Sequence, residues 1–310
     1  MPVLSVRHLT RYRYRNPVAF GEHRMMFRPR EGCDQRLVTS NVLILPTPAH
    51  MRDVQDVFGN WVSIARFNGR ASELLFESRV TLEHTPLPAF GDLHGDVGFL
   101  SGGRPFAYDE DDLPDLQRSI VPQHPDPKGE LARWARRFVK AKGATNLQHL
   151  LADMTQAIYA GLKYGKRLEH GVQSPLTTLK TGSGTCRDFA VLMIEAVRTL
   201  GLAAQFVSGY IHSPSRKLGQ PERTGGGHTH AWLRVYLPTC GWIEFDPTNG
   251  IVGNTDLISV AVVNDPRKAS PLVGAWSGFP TDFLGMDVEV DVTSVEGDFT
   301  FAEPAVAAFG

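Results

Sequence analysis

The chain has 310 residues, 42% hydrophobic and 21% charged, a globular composition that excludes a low-complexity or fibrous polymer. A formal net charge of -1 supplies no bulk field to draw nucleic acid or an anionic membrane. No apolar run suits a signal peptide or a membrane span, and Cys33, Cys186 and Cys240 are too scattered for a disulfide framework or a C-x-x-C metal site. A reducing, cytoplasmic setting is the expectation, with no cofactor and no metal.

Taken in order, residues 1–85 read as β structure. His8, Thr10, Tyr12 and Tyr14 alternate with Leu9, Arg11 and Arg13, the period of a strand. Leu37 to Leu45 and Leu74 to Leu82 are further strands, with turns at Phe58-Gly59-Asn60-Trp61 and Asn68-Gly69. The alternating Arg11, Arg13 and Arg15 fit a solvated strand face better than a nucleic-acid surface, since acidic residues balance them elsewhere. Residues 86–127, punctuated by prolines and carrying the acidic run Asp109-Glu110-Asp111-Asp112, read as a long extended connection over the surface.

Helical spacing begins after Pro127, in Leu131, Trp134, Ala135, Phe138 and Val139, and again in Leu147, Leu150, Leu151, Met154 and Ile158. A third helix follows the glycine-rich loop Thr181-Gly182-Ser183-Gly184, with Phe189, Leu192, Met193, Ala196, Val197 and Leu200 on one face. Thr185 can cap it and Asp188 can complete a capping box, so Cys186 falls on the first turn. Unpaired N–H groups there favour a thiolate and can receive an oxyanion. A buried, inert cysteine is the competing reading. Strands are expected at 203–211, 230–237, 241–246, 257–263 and 288–292, with a polar loop from His212 to Gly227.

His230, Trp232, Arg234 and Tyr236 share one strand face, and Trp242, Glu244 and Asp246 share one face of the return strand. If the turn holds three residues, Leu237 faces Gly241, Trp232 faces Asp246, and His230 is its diagonal neighbour. An even-numbered turn would put His230 and Asp246 on opposite faces. A thiol of pKa about 8.5 needs a base to ionise at neutral pH, and a carboxylate fixes that base's tautomer. Thioester chemistry follows from such a set.

Three blocks carry a resemblance: Thr181 to Ala190, Gly225 to Trp232 (Gly-Gly-Gly-His-Thr-His-Ala-Trp) and Gly241 to Asn249 (Gly-Trp-Ile-Glu-Phe-Asp-Pro-Thr-Asn). They resemble the catalytic blocks of bacterial transglutaminase-like proteins, and His8 to Tyr14 with Phe58-Gly59-Asn60 resembles that family's N-terminal β region. The resemblance implies an α+β chain, with an N-terminal antiparallel β domain (1–85), a connection (86–127) and a papain-like transglutaminase core (128–310). It implies Cys186 as nucleophile, His230 as base and Asp246 as orienter, acting on an amide-bearing peptide or protein. Where family members read His-Ile and then an arginine and an aspartate, this chain has Leu257-Ile258 and Asn264-Asp265.

Other candidates are weighed beside these. Trp232 can wall the cleft or pack in the core, Arg187 can meet an acidic substrate group or lie exposed, and Gln173 can donate to an oxyanion. Glu244 is a rival orienter, His228 lines the rim or caps its loop, and Cys240 receives no role. Hydrolysis of a peptide, isopeptide or other amide is the first functional expectation. Amine transfer to glutamine is the second, and a non-catalytic binding module the third.

Overall fold

The computed structural model describes residues 2–86, 98–101, 104–165, 171–213 and 223–295. The chain opens with β1 (Val3–Met25), β2 (Gln35–Leu45), β3 (His50–Gln55), β4 (Trp61–Arg66) and β5 (Arg70–His84). Next come β6 (Phe99–Ser101), α1 (Leu113–Ile120), α2 (Glu130–Arg136), β7 (Ala144–Asn146), α3 (Leu147–Gly161), β8 (Lys163–Tyr164), α4 (Pro175–Thr181), β9 (Ser183–Gly184) and α5 (Cys186–Thr199). The remainder is β10 (Ala204–Ile211), β11 (His230–Leu237), β12 (Gly241–Asp246), β13 (Ile251–Val252), β14 (Leu257–Val263), β15 (Leu272–Ser277) and β16 (Phe283–Val295). The class is α+β, with antiparallel main sheets. Among the described residues, no helix is long and apolar enough to cross a membrane.

The first sheet runs β2-β5-β1-β4-β3, with β15 and β16 also on β1. The strand expected at 288–292 therefore lies in the sheet built by the N-terminal residues, not in the sheet that follows α5. Its alternation reads the same beside either neighbour; what decides is the apolar seam in which Val290 packs with Leu4, Val6, Val80 and Leu82. The arginine row on β1 meets acids on adjacent strands, Arg13 with Asp287 at 2.9 Å and Arg7 with Glu77 at 2.6 Å.

The second sheet runs β13-β12-β11-β10-β14. Ala231, Leu233, Val235 and Leu237 pack with the apolar side of α5 in the largest core. Trp232 faces away, among Val207, Ile211, Ile251, Leu257 and Val262. The β11–β12 turn has the three-residue form, because Leu237 pairs Gly241 and Leu233 pairs Phe245. Asp246 consequently shares a face with Trp232 and His230.

The 86–127 connection differs from a plain extended strap; its residues 87–97 and 102–103 lie outside the described residues. It contains α1, started by Asp112 with Pro114 in the first turn. It is also tied to α5. Buried Glu195 accepts the N–H groups of Gln123 and His124, both at 2.8 Å, and pairs with Arg198 at 2.7 Å. Arg198 in turn donates to the carbonyl of Ser119 at 2.9 Å. Leu113, Leu116 and Ile120 keep helical spacing in this segment, a short signal that the surrounding prolines hid from the sequence reading.

The two sheets share a seam in which Tyr210, Ile258 and Val260 join the Val290 cluster. Side-chain amides close the outer edge of β14. Asn60 donates to Val262 O at 2.8 Å and accepts from Val262 N at 2.9 Å. Gln35 does the same for Ser259, donating at 2.7 Å and accepting at 3.1 Å. An edge strand otherwise presents unpaired backbone groups, so these two amides take the place of a neighbouring strand.

Candidate functional site

The start of α5 is built as its sequence dictates. Thr185 accepts from Asp188 N while Asp188 accepts from Thr185 N, a complete capping box. Asp188, fully buried, also accepts from Gln173 N at 2.8 Å and so fixes the preceding loop. The parallel pair β8–β9 leads into this turn, with Tyr164 beside Gly184. Cys186 is the first helical residue and is 8% exposed.

His230 begins β11 and Asp246 ends β12, both buried. His230 Nε2 lies 2.8 Å from Asp246 Oδ2, and Thr248 N donates to Asp246 Oδ1 at 2.9 Å. The other ring nitrogen, Nδ1, is buried and makes no well-aligned hydrogen bond among the described residues. Cys186 lies close enough to act on the ring's charge. Burial disfavours the imidazolium, but the charge and hydrogen bond of Asp246, with a further contribution from Cys186, outweigh it and push the His230 pKa up to about 10. Burial also opposes the Asp246 carboxylate; His230, Asn249 and Thr248 N–H outweigh it and hold that carboxyl below the usual range. The ring is thus stable as a cation between a carboxylate and a thiol.

The companions considered with this set fall elsewhere. Trp232 is fully buried and stacks on His230 at 5.8 Å between centroids, so it supports the ring and cannot wall an open cleft. Arg187 is neither exposed nor aimed outward: Nη2 donates to Pro266 O at 2.7 Å and the guanidinium lies over Phe206 at 4.9 Å. Gln173 spends both amide hydrogens, on Ser183 O at 2.7 Å and Thr178 Oγ1 at 3.0 Å, and is not kept as an oxyanion donor. Glu244 accepts from Ser259 Oγ at 2.6 Å, away from His230. His228 is exposed.

Two residues escaped the sequence reading. Tyr164 stands beside the pair: burial first, then the charges of Cys186 and Asp246, push its phenol up to about 12. Its two-residue strand is too short to leave a periodic signal. Asn249, in the third block, donates to Asp246 Oδ2 at 2.7 Å.

Two family models of transglutaminase-like proteins match this chain. The model of the bacterial transglutaminase-like N-terminal region matches residues 4–83, and that of the transglutaminase-like superfamily matches residues 133–247. An uncharacterized protein of Mycobacterium tuberculosis is 29% identical over 94% of this chain and 93% of its own length. A protein-glutamine gamma-glutamyltransferase of Pseudomonas aeruginosa is 32% identical over 22% of this chain and 10% of its own. The fold is shared with a crystal structure from Cytophaga hutchinsonii, named a candidate cysteine protease, at a TM-score of 0.65 and 18% identity over 96% of this chain and 92% of that one.

Proposed function

We propose that the protein is a thiol-dependent acyl-transfer enzyme that hydrolyses an amide bond in a peptide or protein. The observation that carries this reading is the His230 ring, fixed at 2.8 Å by buried Asp246 and favoured as a cation beside Cys186 at a helix start. Cys186 Sγ attacks the carbonyl carbon, and the first-turn N–H groups of α5 receive the oxyanion. The C–N bond breaks, and the leaving amine takes the proton from His230. Water then gives a proton to His230 and attacks the thioester, which restores the thiolate. Asp246 holds the ring in one tautomer throughout.

The match to the transglutaminase-like core favours a second reading, in which a primary amine replaces water. The same triad serves both, so the second half-reaction separates them. Incorporation of a labelled primary amine into a glutamine peptide marks transfer; conversion to free carboxylate alone marks hydrolysis. The three free thiols agree with action in the cytoplasm. The direct test is iodoacetamide labelling mapped by peptide mass spectrometry. Cys186 should react far faster than Cys33 at pH 6, and His230→Ala should remove that advantage.

A further inference from the structure

Residues 223–229 precede His230 and cross its open side as a glycine-rich strap. Gly225 lies so close that a Cβ there would be 2.6 Å from His230 Nδ1, and its φ of +100° suits glycine alone. Four ties hold the strap. Arg223 pairs with Asp256, Nε to Oδ2 at 3.0 Å. Thr224 N donates to Asn249 Oδ1 at 2.7 Å, and Asn249 Nδ2 donates back to Thr224 O at 3.1 Å. Farther along, Val290 N on β16 donates to Gly227 O at 3.1 Å. The nitrogen that must exchange a proton with Cys186 is thus covered by backbone whose position is set elsewhere.

Asn249 links that strap to the triad. Its second amide hydrogen goes to Asp246 Oδ2 at 2.7 Å, the oxygen that also receives His230 Nε2 at 2.8 Å. The Thr224 and Asp246 contacts agree on the orientation of the amide, which also brings Nδ2 to 3.4 Å from His230 Nε2. Turned over, it would set Oδ1 against the carboxylate and the Thr224 carbonyl, and set Nδ2 against the Thr224 N–H. The carboxyl-side neighbour of the triad and the cover of His230 Nδ1 therefore share one side chain.

We propose that Asn249 is a positioning residue, a single amide that fixes the Asp246 carboxylate and latches the 223–227 strap, so that the surroundings of both His230 ring nitrogens are set together. This rests on the reading of Cys186 and His230 as nucleophile and base. With the latch intact, Gly225 stands against Nδ1, and Cys186 is the side chain left to act on that nitrogen. Without it, Asp246 Oδ2 loses a donor, the strap loses its Thr224 anchor, and the ring gains freedom to turn. A shift of about 1 Å at such a position costs on the order of 100-fold in rate.

The test compares the pH profile of Cys186 alkylation by iodoacetamide in wild type, His230→Ala, Asn249→Ala and Asn249→Asp, with thermal melts of each. Asn249→Ala should slow labelling near pH 6 by about tenfold or more. Asn249→Asp keeps an acceptor for Thr224 N–H but sets a carboxylate against Asp246, and should slow it at least as much. If Asn249→Ala melts too early to assay, Asn249→Asp decides. Fast labelling in wild type, slow labelling in His230→Ala and wild-type profiles in both Asn249 variants would overturn the proposal while leaving the triad standing. A lowered melting point with an unchanged profile would do the same, since it marks a purely structural role. Slow labelling in wild type, indifferent to His230→Ala, would overturn both.

Discussion

Replacing Asn60 by alanine tests how the two sheets are joined. The side chain is fully buried and makes four polar contacts. Nδ2 donates to Val262 O at 2.8 Å and to Asp56 Oδ2 at 2.9 Å, while Oδ1 accepts from Val262 N at 2.9 Å and from Arg30 Nη1 at 2.6 Å. Neutral hydrogen bonds contribute about 1 kcal/mol each and those to charged groups about 1.5–3, so the gross loss is about 5–8 kcal/mol. Water entering the vacated space satisfies part of this, which leaves a net cost of about 3–5 kcal/mol. Urea unfolding should show a lower midpoint at unchanged slope, and the melting temperature should fall by roughly 6 °C or more. Asn60→Asp should also be costly, because it loses the donor and sets a second carboxylate against Asp56. A loss below about 1 kcal/mol for Asn60→Ala would refute the claim that this amide substitutes for a strand at the β14 edge.

Two titrating groups, His8 and Glu244, give opposite pH dependences. His8, held between Tyr210 Oη at 3.0 Å and Thr10 Oγ1 at 3.2 Å, is pushed by burial down to about 4. The unfolded chain takes up this proton below about 6.5 and the folded one does not, so stability falls between about pH 6.5 and 4, by about 3 kcal/mol in full. His8→Gln should flatten that slope in denaturant titrations; an unchanged slope contradicts it. Glu244 is pushed up to about 7, first by burial and then by Asp34, against the opposing pulls of Ser259 and Arg234. Its side chain is partly open to solvent although Oε2 is not, so the full shift is discounted. The folded chain keeps this proton above the unfolded value, and stability falls as pH rises from about 4.5 through 7. Glu244→Gln should therefore gain about 1–2 kcal/mol at pH 8 and little at pH 4; equal gains at both would refute the assignment.

Much of the core was legible because it rests on local rules. The capping box at Thr185 and Asp188 fixed the start of α5, whereas the face of Asp246 hung on the length of the turn after Leu237, which the pairing of Leu237 with Gly241 decides. Both depend on residues close in sequence. The side chains misplaced from sequence depend on distant ones. Arg187 reaches Pro266 and a ring on β10, and Gln173 is consumed by Thr178 and by a carbonyl of β9. β16 carries the period of a strand, but nothing within it says that its partner is β1, 280 residues away or more in the pairs nearest the N-terminus. Asn60 stood in a quoted motif and read as a turn residue; its role follows only from where β14 comes to lie. Helix α4 was open to reading, since Ser174 caps it and Pro175 begins it.

The central claim is that Cys186 and His230 form one ionising unit, and the pH dependence of Cys186 alkylation in wild type and His230→Ala measures that directly. The account predicts rapid labelling of Cys186 at a pH where an ordinary thiol is protonated, lost when the ring is removed. Labelling that follows an ordinary thiol's ionisation in both proteins would contradict it, and would leave a transglutaminase-like fold without the proposed chemistry.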